Sequence, residues 1–184
     1  MLLKTWVFPI IFAIIITTGV GSAFAASDYF LKIEGVDGES TDSSHKGEVE
    51  VMSWSWGMSQ MGTSSTGGGA GTGKVQMQDF HFTKSIDKSS PVLMQMAATG
   101  EHIKEAKLTL RKAGSEQQTY LVVTFTDVLV SSYSVSGNSG EIPSESVSFT
   151  YQKIQMEYFP QSPTGTATDS IKTKELTGHV TLIK

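Results

Sequence analysis

Val49-Glu50-Val51-Met52-Ser53-Trp54-Ser55-Trp56-Gly57-Met58 is the stretch that decides the fold. Val49 and Val51 flank Glu50, and then Met52, Trp54, Trp56 and Met58 alternate with Ser53, Ser55 and Gly57. Successive side chains on a strand point to opposite faces, so this period of two predicts extended chain with one buried side. On that reading Trp54 and Trp56 are core, because indoles supply large buried area and Met52 and Met58 continue the same face. The competing reading makes the two indoles a stacking platform for a sugar or a peptide.

The same period recurs on either side. Tyr29, Leu31 and Ile33 alternate with Lys32 and Glu34; Ala106, Leu108 and Leu110 alternate with Glu105, Lys107, Thr109 and Arg111; Val147, Phe149 and Tyr151 alternate with Ser146, Ser148 and Thr150. Two segments depart from it. Tyr120 to Val130 is apolar on both faces, and Ile154, Met156 and Tyr158 extend a strand whose faces have switched. A strand covered on both sides needs a helix or a neighbouring subunit over its second face. One helix is predicted, Pro91 to Thr99, with Ser90 as its cap, Val92, Leu93, Met96 and Ala97 on one face and Gly100 as its left-handed stop. Turn signals stand at Val36-Asp37-Gly38, Ala113-Gly114-Ser115 and Gly137-Asn138-Ser139-Gly140, and a polar connector, Pro160 to Ser170, precedes a last strand over Gly178 to Ile183. These elements predict one mainly β domain, closed or nearly closed into an antiparallel barrel to hide its edges, with one short flanking helix. Met61 to Gly73 stands apart as a long Gly-rich loop: six of the twelve residues from Gly62 to Gly73 are glycine. Loops of that length and composition are functional or disordered rather than packed.

The chain opens with different material. Lys4 precedes an apolar run, Trp6 to Val20, followed by Gly21-Ser22-Ala23-Phe24-Ala25. A cation, an apolar run and small residues in that order predict a secretory leader over residues 1–25, cut between Ala25 and Ala26. The run of 15 residues is short for a membrane span, which needs about 20; a retained anchor is the alternative. Removing residues 1–25 leaves residues 26–184 as a single domain and places it in the periplasm or outside the cell, with no membrane contact after cleavage. It carries a formal charge near −5 once Lys4 has gone, and Arg111 is its sole arginine. Nucleic-acid binding calls for a basic patch with forked arginine contacts, so that class is set aside. There is no cysteine, which removes disulfides, thiol catalysis and cysteine-type zinc sites.

Motifs that suggest chemistry are incomplete. Gly68-Gly69-Ala70-Gly71-Thr72-Gly73-Lys74 matches seven positions of a phosphate-binding loop, but Val75 stands where Ser or Thr would hold magnesium, and Val75 to Phe82 reads as a strand where a helix must follow. Asp79 and His81 share a strand face and could join His102 around a metal, although two or three such residues are more often ordinary hydrogen-bonded groups. His45 and His179 have no companions, no Gly-x-Ser-x-Gly elbow occurs, and Glu48, Glu50, Glu141 and Glu145 are read as dispersed surface acids. The expectation is a protein that is not an enzyme and takes no cofactor and no metal.

Trp54-Ser55-Trp56-Gly57, the Gly-rich insertion and Lys74-Val75-Gln76-Met77-Gln78-Asp79-Phe80-His81-Phe82-Thr83-Lys84 together resemble the haemolysin-coregulated protein (Hcp) family, the tube proteins of type VI secretion. So do Asp87-Lys88-Ser89-Ser90-Pro91 running through Ala97 to Ile103 into Ala106–Leu110, and Ser146 to Tyr158; the likeness spans roughly residues 27–160. The resemblance implies a β-barrel with a flanking helix, a homohexameric ring, stacking of rings into a tube, effectors held in its lumen, secretion-apparatus proteins as partners, and no catalysis. By position, Gly67, Gly68, Gly69, Ala70, Gly71, Thr72 and Gly73 correspond to the family's projecting loop between stacked rings. The leader is the departure, since the family's tubes are assembled in the cytoplasm and leave through the apparatus. The alternative function on the same fold is an exported module that binds a peptide or glycan.

Overall fold

The structure is a computed structural model that describes residues 27–60, 75–113, 117–160 and 170–177. The expected leader and its expected cleavage site, residues 67–73 expected as a loop, and the expected strand over 178–183 lie outside the described residues. β1 (Ser27–Ile33), β2 (Val49–Val51), β3 (Ser53–Ser55), β6 (Phe80–Ser85), β7 (His102–Lys112), β8 (Thr119–Ser136) and β9 (Ser144–Tyr158) form an antiparallel wall in the order β2-β1-β7-β8-β9-β6-β3. The two outermost strands, β2 and β3, are consecutive in the chain, joined by Met52, whose N–H donates to Thr83 O at 2.8 Å. The opening stretch of sequence is therefore the element that closes the barrel. It leaves β1 and joins β6 at a bend on Met52.

That exchange of partners corrects the expectation for this stretch. Val49 and Val51 are buried, but Met52 is 61% and Met58 54% exposed. Trp54 and Trp56 are half-buried and pack against the core, so the tryptophans belong to the interior and the two methionines do not. Inside, Phe80, Phe82, Phe125 and Phe149 form a ring-to-ring cluster, with Phe80 and Phe125 centroids 4.7 Å apart and Phe82 and Phe149 edge to face at 5.1 Å. Such contacts add specific geometry to the large area that aromatic side chains bury.

The switch of faces is present and involves three strands at one level. Buried residues run Ile103 then Ala106 on β7, Phe125 then Val128 on β8, and Tyr151 then Ile154 on β9. Each strand skips two residues where the period demands one. Asp127 lies in the skipped level of β8 with φ 55°, a left-handed conformation that Asp tolerates better than most L residues.

α1 runs Ser90–Thr99 with Ser89 at its cap, one residue earlier than expected, and ends on Gly100 at φ 69°, whose N–H donates to Met96 O. Leu93 and Met96 are buried, and α1 packs on β8; the helix thus supplies part of the second cover that β8 requires. Val92 stays exposed at its edge and Ala97 is half-buried. A strap over residues 37–48 covers the outer side of β1 and β7. Gly38 is required there, since a Cβ would stand 2.2 Å from Glu48 O. Under the strap Thr109 and Arg111 are buried, although their alternation had placed them outside. The connector after β9 returns as β10 (Ile171–Lys172) and β11 (Leu176–Thr177), both paired to the second half of β9.

Candidate functional site

Beyond Trp56 the chain leaves the barrel as a separate two-stranded ribbon, β4 (Met58–Gln60) with β5 (Val75–Met77), in register Met58 to Met77 and Gln60 to Val75. Met58 and Val75 are exposed on it. The ribbon brackets residues 61–74 in the sequence, and Met77 packs back from it against the core. Val75 begins a strand where a phosphate-binding loop requires the amides of a helix N-terminus.

The outer surface of β3, β6, the first half of β9 and the end of β8 is chemically uniform. One level across these strands reads Ser53, Thr83, Ser146, Ser134; the next reads Ser55, His81, Ser148, Ser132; a third reads Ser85, Ser144, Ser136. These positions carry ten hydroxyls, one imidazole and no charged side chain. Ser53 Oγ and Thr83 Oγ1 are 2.7 Å apart, Ser136 Oγ and Ser144 Oγ 3.3 Å. His81 lies 3.0 Å through Nδ1 from Ser148 Oγ and 3.1 Å through Nε2 from Ser146 Oγ. The signal was visible as the polar phase of each alternating strand, but strand pairing alone could bring the four phases onto one surface.

The three candidate metal ligands go to separate partners. Ser131 Oγ donates to Asp79 Oδ2 at 2.6 Å, His81 sits among its serines, and His102 Nδ1 meets Asp127 Oδ1 at 2.6 Å. Among the described residues no three His, Asp or Glu side chains gather as metal ligands. Trp54 lies tilted against Phe80 with ring centroids 6.3 Å apart, and Trp56 Nε1 donates to the Tyr151 hydroxyl, which donates to Gln78 O at 3.0 Å. The indole pair is thus committed to the end of the core rather than laid flat as an open platform.

Glu145, read as a surface acid, is 1% exposed beneath the hydroxyl face. It pairs with Lys84, 0% exposed, at 2.8 Å. Lys84 Nζ also donates to Ser85 O, Asp87 Oδ1 and Ser90 Oγ, which fastens the start of α1 to β6 and β9. Tyr133 of β8 donates to Glu145 Oε1 at 2.5 Å; burial and the Glu145 carboxylate push its phenol up to about 12. Burial pushes the Asp87 carboxyl up, but hydrogen bonds from Lys84 and Ser89 outweigh it and hold the group below the usual carboxylate range. A second ion pair lies under the strap. Arg111 forks onto Asp42 at 3.1 and 2.6 Å and packs over the Phe30 ring, on which His45 is stacked at 4.5 Å. The Arg111 hydrogen bond and the Ser44 amide lower the Asp42 carboxyl to about 2.

Residues 30–158 match the family described as Type VI secretion system effector, Hcp. The chain belongs to the Hcp family. It is 50% identical over 142 residues to Protein hcp1 of Pseudomonas aeruginosa, across 76% of this chain and 88% of that protein. Among solved structures it is similar to that of a type six secretion system protein, at TM-score 0.75 and 34% identity over 79% of this chain and 92% of the other. It is also similar to the crystal structure of Hcp1 from Salmonella typhimurium, at TM-score 0.66 and 38% identity over 80% and 92%. Hcp proteins are secreted structural proteins of type VI secretion, and the barrel with its one flanking helix is the fold that the likeness implied. No helix among the described residues is long and apolar enough to cross a membrane.

Proposed function

We propose that this Hcp protein is a ring-forming subunit, six copies to a ring, of a type VI secretion tube or a tube-like exported assembly, and that its role is assembly and carriage rather than catalysis. The observation that carries the reading is the hydroxyl face on a closed barrel. A wall of Ser and Thr offers hydrogen-bond donors and acceptors in every direction and opposes no cargo by charge, which supports carriage of effectors of varied surface. The ribbon that brackets residues 61–74 in the sequence supports Gly67–Gly73 as the contact between stacked rings, and secretion-apparatus proteins are the remaining partners. The leader supports delivery of residues 26–184 to the periplasm or the exterior after cleavage between Ala25 and Ala26. Purified residues 26–184 are expected to give a ring-sized mass by light scattering and rings by electron microscopy. A monomer at every concentration overturns the proposal.

A further inference from the structure

β1 is an inner strand of the wall, and it begins almost where the leader ends. All seven of its residues pair with β7, from Ser27 opposite Lys112 to Ile33 opposite Ala106, and Tyr29–Leu31 pair on the other edge with β2. Phe30, Leu31 and Ile33 are 5%, 0% and 3% exposed. Ala26 alone separates Ser27 from the bond between Ala25 and Ala26. Proteases act on exposed or transiently opened chain, and they take a peptide in extended form on both sides of the bond they cut. Here the mature side of the cut offers one residue before the paired wall begins.

We propose, resting on the export reading above, that leader removal and barrel closure exclude each other: the chain is cut after Ala25 only while β1 is unpaired, and a chain that folds first keeps residues 1–25. The topology supplies the interval. The partner of Ser27 is 85 residues downstream at Lys112, and the wall is complete only with β9, which ends at Tyr158. Pairings between such distant segments form slowly, because a long loop must close before any contact rewards it. β1 is therefore available to a peptidase through most of synthesis and lost to it afterwards. One sequence then supplies two pools, leaderless subunits that were exported unfolded and leader-bearing subunits that closed where they were made. The second pool is the one a tube assembled in the cytoplasm would draw on.

The test compares three substrates for purified leader peptidase in detergent: the folded full chain, the full chain held unfolded in urea that the peptidase tolerates, and a folded full chain with six Gly and Ser residues inserted between Ala26 and Ser27. The unfolded and the linker chains are expected to give a product whose mass begins at Ala26, and the folded chain to be cut roughly a hundredfold more slowly, since cutting must wait for β1 to open. If the unfolded and linker chains resist as well, the export reading fails and takes the inference with it. If all three are cut at similar rates, the export reading stands and the exclusion is overturned.

Discussion

The two halves of the barrel distribute charge in opposite ways. Around β1, β7, the first half of β8 and the second half of β9, the interior is apolar and the outside is charged: one level reads Lys32, Lys107, Thr124, Gln155, and ion pairs join Lys153 to Glu175 and Lys172 to Glu157. Around β3, β6 and the first half of β9 the arrangement is inverted. The outside is hydroxyl, and the charges, Lys84 and Glu145, are inside. The first half follows the common rule that charges face water and apolar groups do not, except where the strap covers Arg111 and its partner Asp42. The second half breaks the rule twice on the same strands, and both breaks leave its outer surface neutral.

If the buried pair is part of the wall's construction, then breaking it should hurt most. Lys84→Met leaves Glu145 and Asp87 without their cation, and is expected to lower stability by about 3–5 kcal/mol in urea melts. Lys84→Met with Glu145→Leu should recover most of that loss, because two buried charges replaced together by apolar groups of similar size are close to neutral. A double variant as unstable as the single would mean that the pair is needed for more than its mutual satisfaction.

The other half is sharpened by acid. Asp42 is lowered from 3.8 to about 2 by Arg111 and the Ser44 amide. Unfolded, it takes its proton as the pH falls past 3.8; folded, it resists until about 2. Its contribution is thus complete above the higher value and is lost between the two. Thermal melts are expected to lose midpoint temperature over this window in the wild type, and to lose less in Asp42→Asn, which starts lower at neutral pH. Equal acid sensitivity of the two would show that the strap does not depend on this carboxylate.

The smallest effect belongs to the level where the halves meet. Asp127→Val places a branched residue at φ 55°, expected to cost about 1–2 kcal/mol. Asp127→Gly should sit close to wild type, because the pair with His102 is largely exposed and such pairs contribute little. If both variants lose the same amount, the His102 contact rather than the backbone accounts for Asp127.

The division between the halves also marks what the sequence disclosed. Alternation located the main strands, Gly100 stopped the helix, and the break between Tyr151 and Ile154 announced the switch of faces, because each rests on local periodicity or local backbone geometry. The resemblance to Hcp was carried by the same segments. Glu145 read as a surface acid because nothing local says that Lys84, 61 residues earlier, lies opposite it. Arg111 and Thr109 read as outward because the strap that buries them comes from residues 37–48. Met52 read as core because alternation carries no mark of the bend at which a strand changes partners. The hydroxyl face was spread over four segments, and only their register assembled it.

That change of partners at Met52 has a mechanical side. Around the girth of the barrel β8 and β9 hold each other through fourteen paired residues, whereas β1 grips β2 through three and β3 grips β6 through three. A tension that tried to widen the cylinder would cross every other junction on a broad band of hydrogen bonds and reach Val51-Met52-Ser53 as a narrow one. Yielding there would not free a strand end. The same few peptide bonds tether both flaps, so a barrel strained open at this place would remain a single hinged ribbon and could shut again along its own chain.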